Sequence, residues 1–330
     1  MAGFTRRAIL GGATMLLAAG LLPSAGVLAQ DKPVLRFSAV FSDQDIRAAM
    51  MQQLEQSVAD IATLEMHYGG TLFTQGTELV ALQRGNLELG NIAPQDIANQ
   101  IPAWSILTSA YLFRDPDHLM TFFASDAGAE MKKLAEDQLG IHILGPTFFG
   151  TRHVGLKSDT KVMTPADMAG VRLRMPPGEA WQFLGESLGA NPTAMAYAEV
   201  YTGLQTGAID GQDNPLPNVQ NMKFYEVMGQ IALTSHLVAF DLLTISSAAW
   251  DAMSADQQAA FQAAADAAMA WSAAEHQKRE AELAEFFKAE GVDVHTPDVA
   301  AFRAYAQEKY LASPLSAAWP EGMLERINEL

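Results

Sequence analysis

Short apolar runs alternate with amphipathic stretches along most of the chain. VLRFSAVF (34–41) reads as a strand leaving into a polar loop at Ser42-Asp43-Gln44, and a helical pattern follows over about 45–60. TLEMHYG (63–69) is a second strand, and Thr77 to Arg84 is a helix closed by Gly85. LELGNIAP (87–94) is a third strand, running into a loop at Pro94-Gln95-Asp96. A charged helix covers 127–138, and GIHILGPTFFG (140–150) is a strand ending at Phe148-Phe149-Gly150. VRLRMP (171–176), ANPTAMA (190–196) and AIDGQDN (208–214) are strands separated by helices over 178–188 and 198–207. DLLTISS (241–247) is a returning strand. Strands alternating with helical patterns of this length predict an α/β fold.

The last third changes character. Ser254-Ala-Asp-Gln257 has the form of a capping box, and a helical pattern then runs to Gly291. Phe261, Ala265, Met269, Leu283 and Phe287 fall near helical spacing, but the stripe is thin. The pattern fits one helix long enough to lie across two domains, or two helices broken near Ser272.

A chain of 330 residues exceeds one typical core and suggests two domains. With 49% hydrophobic and 18% charged residues it is an ordinary globular composition. The net charge is −17 with no basic stripe, which excludes nucleic acid as a partner. No cysteine is present, so disulfides, thiolate metal sites and cysteine nucleophiles are excluded. The first 29 residues have a basic start (Arg6, Arg7), a modest apolar centre and a small-residue end, and cleavage after Ala29 fits an export signal. Thr5-Arg6-Arg7-Ala8-Ile9-Leu10 resembles a twin-arginine signal, the alternative being a general secretory one. Removing two arginines and no acids leaves −17 − 2 = −19. With no later apolar run of about 20 residues, the mature chain is expected in the periplasm.

The chain has no Walker loop, no G-x-G-x-x-G after a strand, no G-x-S-x-G and no H-E-x-x-H. Its seven histidines are scattered without ligand spacing, and Asp210-Gly-Gln-Asp213-Asn214 lacks the alternating acids of a calcium loop. Neither a metal nor another cofactor is expected. What remains is a set of polar groups at strand ends beside aromatics: Arg152 after Phe149-Gly150, Arg174 in an apolar strand, Tyr197 at a helix start, and Asn214. Arginine is a rigid, permanently charged fork that fits a carboxylate with two parallel hydrogen bonds. Arginines without an enzyme motif suggest capture of an anion, not its conversion. Each also fits a structural ion pair. Arg172, two residues before Arg174, fits a solvated or salt-bridged strand edge.

The segment from GVRLRMPPG through LGANP, AEVYTGLQ and AIDGQDNP to KFYEV closely resembles the signature region of the periplasmic solute-binding subunits of TRAP transporters, the DctP-type family. FRDPDH (113–118), FFGTRHVGLKS (148–158), TPADMAG (164–170) and TSH (234–236) extend the resemblance over essentially the whole mature chain. It implies a two-lobed periplasmic binding protein fold with a long helix spanning both lobes: residues 31–151 plus about 240–270 in one, 152–239 plus about 271–330 in the other. It implies no catalysis. It implies a small carboxylate ligand, such as a C4-dicarboxylate or a sugar acid, delivered to small and large membrane subunits. A periplasmic sensor presenting an organic anion to a membrane receptor is the alternative. By position, the resemblance makes Arg174 the bidentate partner of the ligand carboxylate, with Arg152 assisting and Asn214 touching the ligand. Tyr197 packs on the ligand where Phe is usual, and its hydroxyl favours a hydroxylated acid. Phe149 belongs to the same wall. The Ser42-Asp43-Gln44 loop departs from the family pattern, and Gln95 and Asp96 are expected as contacts from the first lobe. Asp213 replaces the usual Glu, expected to be without consequence.

Overall fold

The computed structural model describes residues 32–330, so the export signal expected over 1–29 lies outside the described residues. Nine strands form one sheet: β1 (Val34–Ser38), β2 (Thr63–His67), β3 (Leu89–Ile92), β4 (Ile141–Leu156), β5 (Arg172–Met175), β6 (Asn191–Ala194), β7 (Gly211–Pro215), β8 (Gln230–Ser246) and β9 (Asp293–His295). The order is β2-β1-β3-β8-β4-β7-β5-β6, with β9 also on β8.

The two long strands organise the molecule. β3 meets β8 only near the end of β8, at Leu242 to Ile245, whereas β7 meets β4 only at its end, Arg152 to Leu156. Each end of the antiparallel β4–β8 pair therefore carries its own parallel trio: β2-β1-β3 at one and β7-β5-β6 at the other. The result is the two-lobed α/β architecture. Parallel strands need crossover helices, which explains the alternation seen in the sequence.

Both long strands exceed their expected lengths, because 140–150 continues to Leu156 and the strand expected to start at 241 begins at Gln230. Register shifts fall at Ile143/Gly145, Phe148/Gly150 and Arg152/Val154. At the middle shift Phe148 faces Phe240 and Gly150 faces Ala239, leaving Phe149 as the extra residue of a bulge. Gly150 has φ +123°, and a Cβ there would lie 2.6 Å from Pro215 Cβ.

The long helix is continuous from Ala255 to Ala289, with the expected capping box between Ser254 and Gln257. Phe261, Ala265 and Met269 pack into the core around Phe37 and Leu54. Leu283 and Phe287, further along, pack with Val200, Phe224 and Ile231 in the other half. Ser272 is buried and does not break the helix. The stripe is thin because each half of the helix serves a different core. The C-terminal helix Met323–Asn328, which the sequence reading grouped with the second lobe, buries Met323 and Ile327 against the Leu119–Phe122 region of the first. Among the described residues, no helix is long and apolar enough to cross a membrane.

Candidate functional site

In open α/β sheets ligands bind beyond the carboxyl ends of parallel strands. Here both trios point those ends at one cleft. Val40 follows β1, Gln75 follows β2, and Asn91 and Asp96 lie at and after the end of β3; Arg174, Tyr197 and Asn214 come from the ends of β5, β6 and β7.

Arg172 and Arg174 share a face of β5 but not a fate. Arg172 sits at the outer end, half-exposed, and forms a fork with Asp210 at 2.6 and 2.9 Å. Arg174 is 1% exposed. Its Nε donates to the Met195 carbonyl at 2.8 Å and its NH2 to Gln75 Oε1 at 3.2 Å. Among the described residues it has no carboxylate partner within 4.0 Å, and burial pulls its pKa down to about 9. A buried guanidinium without a counterion is costly unless an anion joins it.

Arg152 lines the cleft, but its fork is occupied. Nε and NH2 donate to the two carboxylate oxygens of Asp213 at 2.7 and 2.9 Å, and the guanidinium lies 4.9 Å from the Trp181 ring. Asp213 is fully buried and also meets His236 Nε2 at 3.2 Å. Despite the burial, Arg152 and His236 hold its pKa well below the usual carboxylate range. Asp213 is the counterion that fixes Arg152.

Tyr197 is buried with its ring 5.9 Å from the Arg174 guanidinium. Its hydroxyl accepts a hydrogen bond from Asn218 Nδ2 at 3.0 Å, so the protein already engages it. Asn214 lines the cleft and donates its amide to Gln212. Phe149, turned out by the bulge, stacks 4.2 Å from the Arg47 guanidinium, with Phe41 at 4.3 Å from the same group. Gln95 and Asp96, expected in a loop, lie on the short helix Pro94–Ala98, started by Pro94 at its first position. Asp96 lines the cleft, whereas Gln95 is buried behind it, near Phe149 and Trp181.

The first-lobe wall holds groups the sequence did not reveal. Arg47 bridges Asp45, at 2.9 and 3.0 Å, and Asp241, at 2.8 Å. Asp241 also accepts from Asn91 Nδ2 at 2.6 Å. Glu78 Oε2 accepts the Gly76 N–H at 2.9 Å. An Asp within the apolar run AFDLLTIS was the available signal for this wall; Gln75 and Glu78 carried none.

Residues 43–313 match the family model described as bacterial extracellular solute-binding protein, family 7, the DctP family. The chain belongs to that family. A TRAP periplasmic solute-binding protein from Roseobacter denitrificans, solved with bound 3-deoxy-D-manno-oct-2-ulosonic acid, is 44% identical, with a TM-score of 0.89 over 91% of this chain and 99% of that one. A second from the same organism, solved with β-D-glucuronate, is 27% identical, with a TM-score of 0.80 over 89% and 98%. The sialic acid-binding periplasmic protein of Vibrio cholerae is 34% identical over 210 residues, which is 64% of this chain and 65% of that protein. This DctP-type chain is thus a TRAP solute-binding protein, of a family whose members bind solutes and are not enzymes.

Proposed function

We propose that the protein captures a small organic acid in the periplasm through Arg174 and delivers it to the small and large membrane subunits of a TRAP transporter. The carrying observation is a buried arginine that faces the cleft with no carboxylate of its own. Arg152 and Asn214 complete the wall around the ligand carboxylate. Arg152 contributes positive potential and any donor its pairing with Asp213 leaves unused. Tyr197 and Phe149 supply apolar faces, as ligand sites combine aromatic walls with a few fixed polar groups. Asp96 contacts the ligand from the first lobe, and Gln95 supports the wall from behind. The ligands of the two Roseobacter proteins and of the Vibrio protein favour a sugar acid over a C4-dicarboxylate.

The test is calorimetric titration of the ligand-stripped mature protein with sugar acids and dicarboxylates, repeated on Arg174→Met. Losing a buried charge-paired fork costs about 2–5 kcal/mol, roughly thirtyfold or more in Kd. Wild-type affinity in a folded Arg174→Met protein would refute the clamp.

A further inference from the structure

The cleft holds acids as well as arginines, and they are not equally partnered. Arg47 is committed to Asp45 and Asp241, and Arg152 to Asp213. Glu78 and Asp96 face no cation within 4.0 Å among the described residues. Glu78 is 4% exposed, and its Oε1, on the cleft wall, has no hydrogen-bond partner. The Asp96 carboxylate accepts no hydrogen bond from the described residues. On the opposite lobe Asn218 repeats the pattern, its Nδ2 donating to Tyr197 while its buried Oδ1 has no donor. A buried acceptor without a donor carries its full desolvation penalty, so Glu78 Oε1 and Asn218 Oδ1 call for donors on the ligand, and the half-buried Asp96 carboxylate stands open to the cleft beside them.

We propose that Glu78 and Asp96 form an acceptor pole that reads the hydroxyl end of the bound acid and excludes a second carboxylate from it. The proposal rests on the reading that Arg174 holds the first carboxylate. Three arginines, 47, 152 and 174, stand against five acids, 45, 78, 96, 213 and 241. One ligand carboxylate satisfies Arg174; a second would be desolvated where, among the described residues, no uncommitted cation receives it. Burial, with Asp241 nearby, pushes Glu78 up to about 7; burial, with the charges of Glu78 and Asp241, pushes Asp96 up to about 8. Near neutral pH each carboxyl can then both accept from and donate to a hydroxyl. The acceptors lie on three separate helices, Glu78–Gln83, Pro94–Ala98 and Leu216–Asn221. An ammonium concentrates its donors at one point, whereas a polyol spreads them along its length. Among the described residues, no acids converge as metal ligands do.

The experiment compares matched pairs in the stripped mature protein by calorimetry: D-gluconate with D-glucarate, and D-galactonate with galactarate, alongside succinate. The best monoacid is expected to bind at least a hundredfold tighter than its diacid partner and than succinate. In Glu78→Gln/Asp96→Asn that ratio falls at least tenfold, with an unchanged circular dichroism spectrum. Asp96→Asn alone, which keeps the Glu78–Gly76 bond, gives a smaller fall and serves if the double variant is unfolded. Diacids bound as tightly as monoacids, or a ratio unmoved by folded variants, would overturn the pole while leaving the clamp intact. Tighter binding of D-glucosaminate than of D-gluconate would assign the pole to an ammonium and overturn it too. Binding of no acid at all, or indifference to Arg174→Met, would instead overturn the clamp and the pole with it.

Discussion

Asp210 and Asp213 lie three residues apart, each paired with an arginine, and their removal should have very different consequences. Asp213 is fully buried, and it receives Arg152 through both carboxylate oxygens at 2.7 and 2.9 Å. Asp213→Asn keeps the shape and removes the charge, leaving a 3% exposed guanidinium without its counterion. Breaking a buried pair in this way costs about 3–5 kcal/mol. Asp210 holds Arg172 with comparable geometry, but the two side chains are 41% and 48% exposed. Water screens that pair, and exposed pairs contribute only about 0–1 kcal/mol. For a chain of this size about 1 kcal/mol moves Tm by roughly 2 °C. Asp213→Asn should therefore lower Tm by about 6–10 °C, and Asp210→Asn by less than about 2 °C. Calorimetric unfolding at pH 7 without ligand measures both. Replacing the pair together, Arg152→Met with Asp213→Leu, should recover much of the loss, because no orphan charge remains. Equal shifts for the two single variants, or a double variant no better than Asp213→Asn, would show that burial does not set the worth of these pairs.

Three further outcomes follow from geometry already described. Arg174→Met should weaken acid binding about thirtyfold or more while leaving Tm within a few degrees; a collapse of the fold would assign it a structural role. Gly150→Ala forces a side chain into φ +123° and into Pro215, so urea unfolding should show a loss of about 2–4 kcal/mol, and a neutral result would mean the bulge can relax. Glu280 accepts the Thr151 N–H beside that bulge, and burial pushes its pKa from 4.5 up to about 7. Its neutral form is favoured by folding, so that stability is present below the unfolded pKa and lost as pH rises through about 7. Glu280→Gln retains an acceptor but no charge, and should be more stable than wild type by about 1–3 kcal/mol at pH 8.5, with little difference at pH 4. A constant difference across that range would remove Glu280 as a titrating group.

The fold was legible where each strand is short and keeps one phase of alternation, as in β1, β2 and β5. The long strands were cut short because each register shift resets that phase: after Phe149 the pattern no longer continues the one before it. Arg174 was legible because a charge inside an apolar strand demands a partner; Arg172, on the same face, read as a strand-edge residue, and the resemblance then singled out Arg174 as the ligand's partner. The Arg152–Asp213 pair was not legible because the two residues are 61 apart in sequence, and only the β4–β7 register brings them together. The first-lobe wall was largely hidden for the same reason. Arg47, Glu78 and Asp241 come from three distant segments, and Asn91 is a single amide in a four-residue strand. Gln95 and Asp96 were placed in a loop because a five-residue helix opening on proline has too few turns to show a period.

The bulge at Phe149 has a kinetic consequence. The lobes are joined by the β4–β8 pair and by the helix Ala255–Ala289, which is seated in the cores of both. Three crossings of this kind resist twisting and sliding of one lobe past the other and leave bending as the soft coordinate. The ladder bends most readily where its pairing is interrupted, and the middle one of its three interruptions carries Phe149 against Arg47 on one side and Thr151 against Glu280 on the other. The pivot and the binding wall are thus the same few residues. Solute release would then be timed by how fast this one joint flexes, and substitutions there should alter the dissociation rate even where they touch no ligand atom.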